Sequence, residues 1–215
     1  LNPKIKVIAV EPAGAACLKA SLEAGEVTTV SKINTIADGT AVQTPGDKLF
    51  PYLQANVDHV ITVDDSELTL SFLDMAENHK MIVENSGLLT VAALKHLDFK
   101  GKKVVSVLSG GNMDVLTMAT VVQNGLMQRD RIFTVSVMLP DKPGQLAAVS
   151  SLIAKEQGNV IKLEHNVFAN VNRTAGVELT ITLESFGTEH KDQIIKALEA
   201  AGYCPVITKT NGIYM

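Results

Sequence analysis

Lys103-Val-Val-Ser-Val-Leu-Ser-Gly-Gly-Asn112 is the stretch on which the first half of this chain turns. Its centre, residues 104–108, is nearly all apolar and valine-rich, with Gly101 before it and Gly110-Gly111 after it. A run this short, apolar on both faces and closed by glycines, reads as a buried strand of a parallel sheet rather than a helix. Open α/β sheets bind ligands beyond the carboxyl ends of their strands. That end here delivers the Ser109 hydroxyl, two glycines that let backbone come close to a ligand, and Asn112. The competing reading is a tight turn into a helix over residues 114–124, with Ser109 capping locally.

The wider composition narrows the class. The chain has 215 residues, 46% of them apolar and 20% charged, enough for one large or two ordinary domains with a real core. No apolar run reaches the length of a membrane span, and no signal peptide is legible. A net charge of -4, with no Lys/Arg cluster, argues against nucleic acid as a partner. Cys17 and Cys204 stand in no metal or redox spacing, so free thiols in a cytoplasmic protein are expected. The opening Leu1-Asn2-Pro3-Lys4, without an initiator Met, reads as the interior of a longer protein.

Taken in order, residues 4–10 read as a strand ended by Glu11-Pro12, and residues 13–24 as a helix stopped by Gly25. Residues 27–51 are loop-rich, in the manner of chain near a ligand. A strand at 57–63 follows, then a capping box of Asp64 and Glu67 opening a helix to residue 78. Residues 80–83 are a short apolar piece before a helix at 88–96. Strands alternating with helices predict a doubly wound α/β layer. The polar segment Gln128-Arg129-Asp130-Arg131 marks a domain boundary, giving domains 1–128 and 129–215. Beyond it the pattern predicts a strand at 132–139, a helix at 145–156, strands at 160–168 and 176–183, a helix at 189–201 capped by Thr188, and a strand at 204–208. That order, β-α-β-β-α-β, is the ferredoxin-like split motif.

Val-Ile-Ala-Val-Glu-Pro (7–12), Thr35-Ile-Ala-Asp-Gly39, Val83-Glu-Asn-Ser-Gly87 and the Ser109-Gly-Gly-Asn112 stretch, in this order, resemble the C-terminal part of threonine dehydratase. This is the threonine ammonia-lyase and serine racemase branch of the fold type II pyridoxal-phosphate enzymes. Leu139-Pro-Asp-Lys-Pro-Gly-Gln-Leu146 and Gly158-Asn-Val-Ile161 resemble the ACT regulatory domain that follows the catalytic domain in longer dehydratases. The resemblance spans essentially the whole chain. It implies a partial fold type II catalytic domain followed by a ferredoxin-like ACT domain. In the family the lysine that carries the cofactor and the Gly-rich phosphate cradle lie upstream of these motifs. No lysine here sits in such a context, so the chain alone is expected to be inactive and to hold no catalytic residue.

The resemblance also implies roles. Ser109 matches the serine whose hydroxyl meets the pyridine nitrogen of pyridoxal phosphate. Glu84 matches a glutamate near the ring, where a carboxylate serving a helix N-terminus is the alternative. Asp38 and Gly39 match a loop close to the cofactor, or else form a surface turn. Gly110, Gly111 and Asn112 shape the loop after the strand. In the serine racemase branch the Glu11 region supplies a divalent-metal site, but its second carboxylate is replaced in a stretch holding Ala16 and Cys17, so no metal is expected. The histidines at 59, 79, 96, 165 and 190 share no ligand spacing. In the ACT-like part, Asp141, Gly144, Asn159 and Ile161 fall where the family binds amino acids, between the first loop and a neighbouring domain's strand. A plain strand-to-helix turn would choose the same Asp141-Lys-Pro-Gly144. The implied activity is deamination of L-threonine to 2-oxobutanoate and ammonia in a homo-oligomer, dimer or tetramer, under amino-acid control. The alternatives are a non-catalytic amino-acid-binding module, and a serine dehydratase or racemase of the same family.

Overall fold

The structure, a computed structural model, describes residues 2, 4–166 and 176–210, and the chain divides into two compact units after Val122. In the first, β1 (Ile8–Pro12) pairs in parallel with β2 (His59–Val63), from Ile8 opposite His59 to Pro12 opposite Val63. β1 begins later than the apolar pattern predicted and includes the Glu11-Pro12 expected to end it. Residues 4–7 stay outside the ladder: the Val7 N–H goes to Asp58 Oδ2 (2.7 Å) and the Asp58 N–H to the Val7 carbonyl (2.9 Å). Proline is tolerated at the last strand position because nothing there needs its missing N–H.

The predicted helix at 13–24 is a 3-10 turn, Ala13–Ala15, followed by α1 (Cys17–Ala24), which ends at Gly25 with φ +76°. α2 (Phe50–Asn56) starts at the end of the stretch expected to be loop-rich and fills the gap before β2, with Pro51 in its first turn, where a missing N–H is tolerated. α3 (Asp65–Asp74) carries the expected capping box from Asp64 and Glu67, and its last turn widens to a π-helix over Met75–His79 before Lys80 turns left-handed. α4 (Leu89–Ala92) sits between 3-10 turns at Asn85–Leu88 and Ala93–His96. α5 (Val115–Gln128) runs four residues past its expected end, and Asp114 caps it with bonds from the Leu116 and Thr117 amides. Ile61, Val63, Leu68, Phe72, Val83, Leu88, Leu89 and Val121 form the core of this unit.

Residues 104–108 depart from the sequence reading. They are not a buried strand: the backbone joins no ladder, Val105 is 88% exposed and Val107 66%. An apolar run becomes a strand only where a neighbouring strand takes its N–H and C=O groups, and among the described residues β1 and β2 are the only strands paired in this unit. The segment is held instead from one side. Thr90 Oγ1 donates to the Val107 carbonyl (3.0 Å), Ser106 Oγ donates to the Thr90 carbonyl (3.3 Å), and Leu108 packs against the core.

The second unit is the ferredoxin-like motif. β3 (Ile132–Leu139), β4 (Asn159–Asn166), β5 (Val177–Glu184) and β6 (Val206–Thr208) form an antiparallel sheet in the order β4-β5-β3-β6. The predicted end of the second of these strands, including Phe168, lies outside the described residues. Along β3 and β5 the registered pairs Phe133/Leu183, Val135/Ile181 and Val137/Leu179 share a face with Val149 and Ile153 of α6 (Gln145–Lys155) and Ile194 and Leu198 of α7 (Thr188–Ala200). The opposite face is polar, with Thr134 and Thr182 hydroxyls 3.0 Å apart and Ser136 donating to Glu178. Thr188 is the first residue of α7 rather than its cap; Gly187 precedes it, and the Thr188 hydroxyl donates to Asp130 Oδ2 (2.8 Å). No described helix is long and apolar enough to cross a membrane.

Candidate functional site

Glu84 stands where the chain enters the 3-10 turn Asn85–Leu88. Its Oε2 accepts the backbone N–H of Asn112 (3.1 Å), and its own N–H reaches the Gly110 carbonyl (3.4 Å). Gly110, at φ +83°, comes so close that a β-carbon there would sit 2.1 Å from Glu84 Oε1. A β-carbon on Gly39 would meet Ser86 Oγ at 2.9 Å and Glu84 Oε1 at 3.8 Å. Gly87 approaches the Ser109 carbonyl so closely that its β-carbon would lie 2.1 Å away. Three segments distant in sequence, 38–40, 84–88 and 109–112, thus meet around one carboxylate. Gly39, Glu84, Gly110 and Asn112 are together, with exposed Ser109 on the same segment, while Gly111 keeps ordinary clearance from the Ile82 carbonyl. Glu84 therefore serves a loop amide, not the N-terminal amides of its own helix. Ser86 is the neighbour the sequence reading missed. Its motif position was visible, but its approach to Gly39 depends on folding.

The four residues singled out in the second unit do not meet within one chain. Asn159 opens β4 opposite Glu184, which in turn pairs with Ile132 at the start of β3. Asp141 and Gly144 follow the far end of β3, so the length of that strand, roughly 24 Å at ~3.4 Å per residue, separates the pairs. The Asn159 amide donates to Glu184 Oε2 (3.1 Å), and Ile161 sits where the β4–β5 register slips between Val160 and Lys162. Gly144 precedes α6 with φ +90° and has open space on the side where a β-carbon would project. An open cleft of about 660 Å³ in this unit, lined by Lys155, Gln157, Phe186, Thr188 and His190 among others, includes none of the four.

A sequence model described as pyridoxal-phosphate dependent enzyme matches residues 1–110, and an ACT-domain model matches residues 133–202. The chain belongs to the pyridoxal-phosphate dependent enzyme family, with an ACT domain after it. L-threonine ammonia-lyase of Geobacter sulfurreducens is 36% identical over 97% of this chain and 52% of its own length. That of Thermotoga maritima is 34% identical over 94% of this chain and 51% of its own. The chain spans about half the length of these curated relatives. Among solved structures, the processed threonine deaminase isoform 2 of Solanum lycopersicum superposes with a TM-score of 0.52 at 29% identity, over 57% of this chain and 37% of that one. Maize serine racemase gives 0.51 at 35% identity, over 57% and 40%.

Does the family's cofactor suit these residues? Gly39 and Gly110 let the backbone pack directly on Ser86 and Glu84 where a β-carbon would collide, Ser109 offers an accessible hydroxyl, and Glu84 holds the 110–112 loop in place. These are fitting neighbours for one edge of a planar, hydrogen-bonding ring. Glu11, which the resemblance to the serine racemase branch singled out as a metal candidate, is otherwise engaged. Its two oxygens accept the Leu18 and Lys19 amides (2.8 Å each), capping α1 from the preceding strand. Burial, reinforced by the Glu11 charge, pushes the Cys17 thiol above its ordinary range. Among the described residues no cluster of three His, Cys, Asp or Glu could hold a metal ion.

Proposed function

We propose that this chain is the portion of a threonine ammonia-lyase that faces the ring nitrogen of pyridoxal phosphate, followed by an amino-acid-sensing ACT domain, with the division at residue 128. The supporting observation is the convergence of Gly39, Glu84 and residues 110–112 on one carboxylate, in a chain aligned along 97% of its length with a threonine ammonia-lyase. When bound, pyridoxal phosphate supplies an electron sink for removing the α-proton and β-hydroxyl of the amino acid. The Ser109 hydroxyl would bond the ring nitrogen without holding a proton on it, which keeps the sink modest and favours elimination. Glu84 fixes the loop that carries Ser109, and Gly39 and Gly110 allow the close packing of three segments around its carboxylate. In the family this chain resembles, the lysine that carries the cofactor lies upstream of these motifs, so the 215-residue chain by itself should be inactive. In the full-length protein, Ser109→Ala should weaken cofactor binding by about tenfold or more, one lost buried hydrogen bond. Its turnover of threonine to 2-oxobutanoate should fall as well. Unchanged cofactor affinity would remove Ser109 from the site, and turnover by the 215-residue chain alone would refute the division of labour.

A second reading, a non-catalytic amino-acid-binding module, is favoured by one observation. The apolar run 104–108 is unpaired and exposed in this chain, so its α/β layer is not closed. Absence of pyridoxal-phosphate binding in the full-length protein would select it. For the ACT domain, the roughly 24 Å between Asp141/Gly144 and Asn159 means that a site using both groups needs two chains side by side. The edge strand β4, with Val160, Ile161 and Leu163 part-exposed, is the surface for that pairing. A branched-chain amino acid such as isoleucine or valine would bind at the junction, its carboxylate on amides near Gly144. Gly144→Val should abolish the calorimetric signal for isoleucine; equal affinity in both proteins would take the loop out of the effector site.

A further inference from the structure

The segment bearing Gly39 is held by bonds that neither the cofactor reading nor the family match explains. Asp65, the first residue of α3, turns both carboxylate oxygens onto it. Oδ1 accepts the Thr35 hydroxyl (2.6 Å) and Oδ2 the Ile36 N–H (3.0 Å). The same Thr35 oxygen accepts the Ala37 N–H (3.1 Å). From the other side, the Asn85 side-chain amide donates to the Ile36 carbonyl (3.0 Å). Ala37 is buried, and its carbonyl receives both the amide and the hydroxyl of Thr40. Two residues on, Gly39 presses against Ser86 and faces Glu84. Asp65 is not needed for capping α3, which Asp64 and Glu67 accomplish between them. Asn85 is the residue next to Glu84, so the clamp and the carboxylate share one turn.

We propose that Asp65, with Thr35 and Asn85, is a positioning residue. Its bidentate hold fixes residues 35–37 so that Gly39 stays packed on Ser86 beside Glu84, which keeps the 38–40 and 84–88 segments in the arrangement a bound ring needs. A bidentate carboxylate accepting one hydroxyl and one amide sets both the height and the tilt of the loop, which one neutral hydrogen bond does not. Asparagine at position 65 would turn a donor toward one of the two donors now bound. Valine at position 35 has the shape of threonine without the hydroxyl, and serine keeps the hydroxyl. The proposal rests on the cofactor reading above, and the test separates the two.

The experiment uses the full-length protein and its Thr35→Val, Thr35→Ser, Asp65→Asn and Asp64→Ala variants. It measures pyridoxal-phosphate affinity from the absorbance band, thermal midpoint, and amide exchange at Ile36 and Ala37. Thr35→Val and Asp65→Asn should weaken the cofactor about tenfold, the worth of one charge-assisted hydrogen bond, and speed exchange at both amides by a similar factor. Thr35→Ser should stay within about twofold of the parent in both. Asp64→Ala, which strips the cap of the same helix, should lower the midpoint without changing affinity beyond about twofold. A merely structural role predicts the opposite, with affinity tracking the midpoint across all four variants, and that result overturns the proposal. Should the parent bind no pyridoxal phosphate, the cofactor reading fails. Exchange then decides the clamp alone: unchanged rates at Ile36 and Ala37 refute it.

Discussion

Gly110→Ala should destabilise the first unit for two separable reasons. Gly110 has φ +83°, where an L-residue costs about 1–2 kcal/mol. The new β-carbon would also sit 2.1 Å from Glu84 Oε1 and 2.3 Å from its carboxyl carbon, so the carboxylate must leave. With it goes the bond from the Asn112 N–H. That bond is charge-assisted but partly solvated, so its loss is worth about 1 kcal/mol. The sum is about 2–3 kcal/mol. Urea unfolding of the 215-residue chain measures it, with Gly111→Ala as the matched control. Gly111 has no positive φ and only an ordinary 3.7 Å contact with the Ile82 carbonyl, so alanine there should change stability by less than about 0.5 kcal/mol. Added to Glu84→Ala, where the collision and the bond are both already gone, Gly110→Ala should cost only the backbone term, a coupling of about 1 kcal/mol in the double-variant cycle. Equal effects at 110 and 111, or strict additivity in the double variant, would refute the close approach of Gly110 to the carboxylate.

At Gly87 two effects of opposite sign compete. Alanine raises helix propensity by about 1 kcal/mol, but its β-carbon would lie 2.1 Å from the Ser109 carbonyl. A net loss of about 1–3 kcal/mol is expected, and a stabilised Gly87→Ala protein would show that the turn and the Ser109 segment do not touch. Ser86 Oγ is buried without a hydrogen-bond partner, so Ser86→Ala should be neutral or stabilising by up to about 1 kcal/mol; a larger loss in urea titration would show that the hydroxyl is in use. In the ACT domain, burial works to raise the Asp130 carboxyl, but hydrogen bonds from Lys191 and Thr188 and the Lys191 charge outweigh it and hold it below the usual range. The folded form thus binds its proton less readily than the unfolded chain. The stability it contributes is fully present above the unfolded value of about 4 and is lost as pH falls through the lower folded value. Asn tolerates the left-handed φ of +54° at that position, so Asp130→Asn isolates the charge. Its deficit against the parent should be constant from pH 8 to 5 and shrink below about pH 4. A deficit that persists undiminished to pH 2 would refute the ion pair.

The ACT half was legible almost strand by strand because each of its elements finds its partner within the same ninety or so residues. Alternation in residues 132–139 and 177–183 encodes a buried face, and the register of Val135 on Ile181 delivers it. The first half was legible in its motifs and not in its central strand. The capping box at Asp64 is a local rule and was satisfied locally. The strand at 104–108 rests on an apolar run and its closing glycines, which state what a segment needs and not whether a neighbour is present to provide it. The same distinction governs the site. Glycine, glutamate and serine motifs announced where backbone and charge would be wanted, yet the meeting of Gly39 with Glu84 depends on Asp65 reaching back thirty residues to Thr35. The sequence carried a hint in the Asp64-Asp65 doublet, since one aspartate suffices for the cap. An acidic residue beside a completed capping box, with no capping duty of its own, is a sign that a helix N-terminus is also holding a loop. In this chain the loop it holds is the one that bears on Glu84.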